Sequence, residues 1–258
     1  MKLTAESVKV DTKLVGRKIV CLDGCASTND EAWRLALDGA VSGTVVFAEE
    51  QAKGRGRLGR AWVAPRGACL LCSTILREPT EVERVPLVTA VAALSVADVV
   101  GPEAEIIFPN DVYVGGKKIA GVLVESRFVS SRPDLFIVGI GLNVNAKRSD
   151  FPSELQATAT SLLIENGAEV NRAAIARALL EALDGWVAEL GGNLRRVKKA
   201  WRDRARMLGR RVKIMQGGRA FTGTVTEVDP LDGLEVRLES GHVRAVRGEH
   251  VEKLDLLN

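Results

Sequence analysis

Histidine is scarce in this chain of 258 residues: there are two, His242 and His250, beside four cysteines. Neither histidine lies near the pairs Cys21/Cys25 and Cys69/Cys72, so nothing completes a mixed Cys/His metal site. Buried free thiols, a metal pair and a disulfide all remain open for the cysteines. The first leads, because Cys69 and Cys72 fall in a segment, residues 67–76, that reads as a strand, where residues three apart point to opposite faces. Long apolar runs are missing as well. The longest, Val85 to Val100, is broken by Pro86, Thr89, Ser95 and Asp98, which suits a buried helix better than a membrane span. The N-terminus has no apolar core followed by a small-residue cleavage site. With a net charge of only +3 the chain is no polycation. These absences lead to the expectation of a cytoplasmic protein with no membrane part. The composition, 46% hydrophobic and 27% charged, is that of a globular protein with room for one large domain and a small one.

Turn signals and periodicity divide the chain. Ile19–Leu22 reads as a strand. Thr28 with Glu31 forms a candidate capping box for a helix that Gly39 stops. Strands follow at 43–48, 67–76 and 105–108, with a helix at 85–100 between the last two. Gly115-Gly116 suits a two-residue turn joining strands 112–114 and 117–127. Residues 135–142 are so apolar that a central strand is expected. Two helices, at about 172–190 and 194–208, close this part. After Gly209 short alternating segments at 212–214, 220–228, 234–238 and 243–246 are separated by glycine turns, the pattern of a small all-β barrel.

Three constellations carry chemistry. Gln51-Ala-Lys-Gly-Arg-Gly-Arg-Leu-Gly-Arg-Ala-Trp62 sets three glycines (Gly54, Gly56, Gly59) among four cations (Lys53, Arg55, Arg57, Arg60). Glycines let backbone amides approach a ligand, and guanidinium groups grip phosphate or carboxylate by two bonds. The spacing matches neither the P-loop nor the dinucleotide fingerprint. A phosphate-ligand loop, a plain basic loop and an RNA-contacting segment all fit the residue types. Next come Pro109-Asn110-Asp111 at a strand exit and Lys118, whose strand alternation places it with Ala120 and Val122. A lysine beside a turn is ordinarily solvated, and Lys117 reads that way. Finally, Gly139-Ile-Gly-Leu-Asn143-Val-Asn145 ends an apolar strand in glycines and two amides.

In order, Ser27-Thr28-Asn29, the 51–62 loop, Pro109-Asn110-Asp111, Lys118-Ile-Ala-Gly121 and Gly141-Leu-Asn143 resemble the motif series of biotin protein ligases, over residues 19–145. Lipoate and octanoyl transferases share that fold and its lysine but lack the GRGRxGRxW loop. The resemblance implies an α+β fold: a mixed β-sheet with helices, the class II synthetase-like biotin/lipoate ligase catalytic domain, over 1–208. A small C-terminal SH3-like β-barrel follows over 209–258. It implies ATP-dependent attachment of biotin to a lysine of a biotin carboxyl carrier protein domain through biotinyl-5'-AMP, releasing pyrophosphate and then AMP. ATP and biotin are substrates, Mg²⁺ accompanies ATP, and no dedicated protein metal site is implied. Carried over by position, Ser27, Thr28, Asn29, Gln51, Gly54, Arg55, Arg57, Lys118 and Gly121 resemble the biotin contacts. Arg57, Arg60, Trp62, Asn110, Asp111, Lys118 and Asn143 resemble the ATP and adenylate contacts, and Lys118, Arg55 and Arg57 the catalytic cations. Thr28 then serves either as cap or as ligand contact.

Two positions depart from the family pattern. Ile107 stands where members carry a lysine, with Phe108 keeping an aromatic wall, and Lys253 is the nearest cation to the arginine expected late in the β module. About eighteen residues precede the first strand, too few for a helix-turn-helix domain, so a ligase-only type without DNA binding is expected. A homodimer is left open. A lipoate or octanoate ligase, or a basic nucleic-acid-binding protein, are the alternatives. The latter would use the loop together with residues 195–213, where ten cations accompany one acid, Asp203. For that stretch a solvated helix face over a seam of Leu194, Val197, Trp201 and Leu208 stands beside docking of an acidic carrier or of nucleic acid.

Overall fold

A computed structural model describes residues 2–77, 85–129, 132–192 and 194–257. Its main sheet has seven strands: β1 (Lys18–Leu22), β2 (Thr44–Ala48), β3 (Cys69–Leu76), β4 (Glu105–Ile107), β5 (Asp111–Val114), β6 (Lys117–Val129) and β7 (Arg132–Asn143). They lie in the order β1-β2-β3-β7-β6-β5-β4, with β1 and β2 parallel and the other pairs antiparallel. β7 is thus the middle strand, as its unbroken apolar run requires: a strand covered on both faces has no polar side to alternate.

Helix α2 (Val85–Val100), α4 (Arg172–Ala188) and α5 (Arg195–Ala205) cover one face of the sheet, and α1 (Thr28–Leu37) covers part of the other. Cys72 joins the core beneath α2, whereas Cys69 packs with Phe151 and Ala146 on the opposite face; all four cysteines are free. Burial pushes the thiols of both Cys69 and Cys72 up to about 12, so neither is a nucleophile at neutral pH. A short α3 (Leu162–Asn166), too brief to show a period, is capped by Ser161 and ends at Gly167 with φ 72°.

A second antiparallel sheet, consistent with an SH3-like domain, holds β8 (Arg211–Gln216), β9 (Arg219–Asp229), β10 (Gly233–Leu238), β11 (Val243–Val246) and β12 (Lys253–Leu257), in the order β11-β10-β9-β8-β12. β12 was not expected, because no glycine turn pair announces it. Its Leu254 and Leu256 pack on the same apolar cluster that runs under α2 and α5, so one core serves both sheets.

Expectations for α1, α5 and Lys118 need correction. The helix-start residue of α1 is Ser27, and no capping box forms; the Thr28 hydroxyl is turned instead toward Gln51 and Ser73. The seam of α5 is Val197, Trp201 and Ala205, while Leu208 is 49% exposed because the helix ends at Ala205 and Arg206 turns left-handed at φ 44°. The cations of this stretch are not a free basic face. Lys198 pairs with Asp229, Arg202 with Glu227, Arg204 with Asp98, and Arg206 and Arg210 with Glu105. Trp201 at its centre meets Phe108 edge-on, ring centres 6.1 Å apart, and so braces the strand exit that leads to Asp111.

The third correction concerns Lys118. Gly115 and Gly116 make the expected turn, with φ 55° and 76°. The β5–β6 register then slips: Tyr113 faces Lys118, but Val112 faces Ala120. Ile119 is the extra residue, and the bulge reverses the side-chain phase. Ile119, Ala120 and Val122 all enter the core, while Lys118 joins Asp111 and Gly121 on the other face. The backbone of Lys118 is held there by a parallel bridge, donating to Thr158 O and accepting from Thr160 N, both at 2.8 Å.

Candidate active site

A cavity of about 360 Å³ opens on the α1 side of the sheet, between the 51–62 loop, the glycines of β6 and β7, and β12. Of the residues singled out from sequence, Ser27, Thr28, Asn29, Gln51, Arg55, Arg57, Arg60, Trp62, Asn110, Asp111, Lys118, Gly121 and Asn143 all line it. Gly54 does not. It serves at the base of the loop, where an added Cβ would lie 2.6 Å from Trp62 O and 3.1 Å from Gln51 Nε2.

One end is neutral and polar. Gln51 Oε1 accepts the backbone N–H of Thr28 at 2.7 Å and lies 3.0 Å from its hydroxyl. Ser73 and Glu125, neither assigned a role from sequence, stand behind this end. Ser73 Oγ contacts Thr28 and Asn29, and Glu125 Oε2 accepts from Asn29 Nδ2 and Trp33 Nε1. Gly139 is small because Asn29 fills its place: a Cβ there would sit 2.2 Å from Asn29 Oδ1.

The other end is charged. Lys118 Nζ lies 2.8 Å from Asp111 Oδ1 and 5.6 Å from the centre of the Trp62 ring. The ring lies on a glycine floor, for a Cβ on Gly141 would come within 2.5 Å of it and one on Gly121 within 3.1 Å. Its buried Nε1 has no hydrogen-bond partner, an unpaired donor inside the cavity wall. Asn143 is fixed by donating to Thr160 O at 2.9 Å, and Asn110 by donating to Val122 O at 2.7 Å.

The loop closes on itself through Gly56 N to Arg60 O and Trp62 N to Gly54 O. Its arginines then reach three different walls. Arg55 grips both oxygens of Asp30, at 2.6 and 2.8 Å, and this hydrogen-bonded pairing holds the Asp30 carboxyl below its ordinary range. Arg57 donates to Gly248 O, Val251 O and Asn110 Oδ1; burial disfavours its charge, and Asp111 counters that loss. Arg60 donates to Glu252 O at 2.5 Å. Two of the loop's cations therefore clasp the second sheet.

Ile107 is buried at 6% exposure on the wall of this cavity, which Tyr113 and Lys253 of β12 also line. Lys253 is paired with Asp255 at 2.9 Å. Among the described residues no group of three or more His, Cys, Asp or Glu could hold a metal ion, and no helix is long and apolar enough to cross a membrane.

A family model described as the biotin/lipoate A/B protein ligase family matches residues 24–143, the span from the first motif to Asn143. The biotin--[acetyl-CoA-carboxylase] ligase of Mycobacterium tuberculosis is 32% identical over 213 residues, covering 79% of this chain and 77% of that one. The chain belongs to the biotin protein ligase family. The bifunctional ligase/repressor BirA of Bacillus spizizenii is 35% identical over 185 residues, 69% of this chain; the matched stretch spans only 57% of that relative's length. Among solved structures, the biotin protein ligase from Aquifex aeolicus in complex with biotin and ATP covers 93% of this chain and all of its own, with a TM-score of 0.77 at 26% identity. As a biotin protein ligase fold, the molecule combines the mixed sheet and the second antiparallel sheet that this family pattern implies.

Proposed function

We propose that this chain is an ATP-dependent biotin ligase that forms biotinyl-5'-AMP with release of pyrophosphate, then transfers biotin to a lysine of a carboxyl carrier protein domain with release of AMP. The observation that carries this reading is the single cavity that unites a neutral hydrogen-bonding end with a lysine-and-arginine end across a glycine floor. Biotin has that polarity: a neutral urea at one end and a carboxylate at the other.

The urea lies against Ser27, Thr28 and Gln51, and the ring and tail lie along Gly121 and Gly141. The carboxylate then arrives near Lys118. Attack on the α-phosphorus brings two anions together and builds charge on phosphoryl oxygens, so fixed cations and alignment lower the barrier and no strong base is needed. Lys118 supplies that charge, held in place by Asp111. Arg57 and Arg60 hold the phosphates, and Trp62, Asn110 and Asn143 bound the adenylate. Arg55, clamped to Asp30, stiffens the loop beside the biotin ring. Mg²⁺ would come with the nucleotide; of the three carboxylates on the cavity wall, Asp111 pairs with Lys118, Asp255 pairs with Lys253 and Glu252 accepts from Gly218 N, so phosphate oxygens would chiefly hold the ion. In the second step the carrier amine attacks the anhydride while the glycine-hinged loop keeps water out.

Pyrophosphate release tests this directly. With MgATP, release should depend on biotin and stay at background with octanoate. Octanoate-dependent release in the absence of any biotin response would replace this reading with that of an acyl ligase.

A further inference from the structure

Gly139 and Gly141 of β7, Gly121 of β6, Asp111 and Tyr113 of β5 and Ile107 of β4 pave the cavity floor, strand after neighbouring strand. The neutral end stands over β7, where Asn29 fills the place of a side chain at Gly139. Lys118 marks the middle, and Tyr113 is its cross-strand partner in the β5–β6 register. Within β5 the alternation is regular against β4: Val112 enters the core, while Asp111 and Tyr113 lie on the cavity face. Tyr113 therefore lies one strand beyond Lys118 as seen from the neutral end.

The cations that line this cavity are already engaged. Lys118 pairs with Asp111, Lys253 with Asp255 and Arg55 with Asp30, and Arg57 and Arg60 donate to main-chain carbonyls. Ile107, across from Asp111 on β4, offers nothing to an anion. The hydroxyl of Tyr113, by contrast, hydrogen-bonds to no group among the described residues. It is a spare donor on a half-buried ring of the cavity wall. Burial, and after it the nearby Asp111 and Asp255, push the phenol up to about 12, so the hydrogen is there to give across the neutral range.

We infer that Tyr113 is a further nucleotide-binding residue, whose hydroxyl donates to the pyrophosphate portion of ATP. This rests on the ligase reading. In the proposed first step an oxygen of the biotin carboxylate bonds to the α-phosphorus from the neutral side. The bond from that phosphorus to the oxygen bridging to the β-phosphorus breaks, and its electron pair leaves with pyrophosphate. Attacking and leaving oxygens lie roughly in line, so the leaving group points away from β7 and over β5 and β4. Tyr113 is the uncommitted donor on that side. Its hydroxyl meets charge that grows as the bond breaks, and its own proton stays on the phenol.

Steady-state kinetics of biotin-dependent pyrophosphate release, with the full chain carrying Tyr113→Phe, tests this. The ring stays and no internal hydrogen bond is lost, so the thermal midpoint should not move. The KM for ATP and the inhibition constant for added pyrophosphate should both rise about tenfold, the scale of one hydrogen bond to a charged oxygen. The KM for biotin should stay within about twofold of the unaltered protein. ATP and pyrophosphate constants that both stay within about twofold overturn the proposal. So does an ATP KM that rises while pyrophosphate inhibition is unchanged, which would put the hydroxyl on the adenosine side. An equal rise in the biotin KM overturns it as well, as the mark of a general change in the site. An unaltered protein with no biotin-dependent release would overturn the ligase reading itself; release with an unmoved Tyr113→Phe overturns this proposal alone.

Discussion

Lys118 shows how much a single residue's setting depends on one inserted neighbour. Strand alternation puts it with Ala120 and Val122, two core residues, where a charged amine would be costly to bury. The bulge at Ile119 moves it to the cavity face, 2.8 Å from Asp111. In the proposed reaction, replacing it by alanine removes the amine beside the biotin carboxylate while leaving the buried neighbours untouched. Lys118→Ala should lower kcat for adenylate formation by about 100-fold or more, the cost of losing one fixed transition-state charge. Its thermal midpoint should stay close to that of the unaltered protein. Single-turnover rapid quench checks this, and a loss of less than about threefold would remove Lys118 from its role. The polar residues behind the site were the least legible ones. Glu125 contacts Asn29 and Ser73 contacts both Asn29 and Thr28, and no spacing in the sequence marks a side chain one contact behind the site. Ile107 was legible as a departure, yet only the fold shows it buried on the wall of a cavity that Lys253 also lines.

The strands and long helices were the most legible elements. α2 runs over Val85–Val100, as its apolar run indicates, and β7 is central, because burial on both faces leaves a plain compositional trace. Elements set by tertiary contact were not legible: the five-residue α3, the strand β12, and the start of α1, where the Thr28 hydroxyl turns to Gln51 and Ser73 instead of capping. The basic stretch around α5 is the solvated helix face its composition suggests, with Lys198, Arg202 and Arg204 paired to carboxylates distant in sequence. The function of α5 at this scale is support. Trp201 is 1% exposed and braces Phe108, which leads to Asn110 and Asp111. Trp201→Ala should cost about 3–5 kcal/mol of stability by urea unfolding, the range for truncating a buried aromatic residue. A change below about 1 kcal/mol would mean that the contact with Phe108 is not a brace.

Across the whole molecule, the second sheet is joined to the first in two ways. One apolar cluster runs through α2, α5 and the inner side chains of β8, β9 and β10, and Arg57 and Arg60 tie the loop to the carbonyls of residues 248, 251 and 252. A division near residues 208 and 209 is our proposal for where the two units meet, but the loop's geometry belongs to both. In the proposed reaction the segment before β12 would anchor Arg57 and Arg60, the cations we propose for the phosphates. The function we propose is one overall transformation, the formation of an amide between biotin and a carrier lysine. Intact-mass measurement of a biotin carboxyl carrier domain, incubated with this protein, MgATP and biotin, tests it most directly. The account predicts the addition of one biotinyl group at a single lysine, dependent on both ATP and biotin. An unmodified carrier, with the unaltered protein folded and both substrates present, would contradict it.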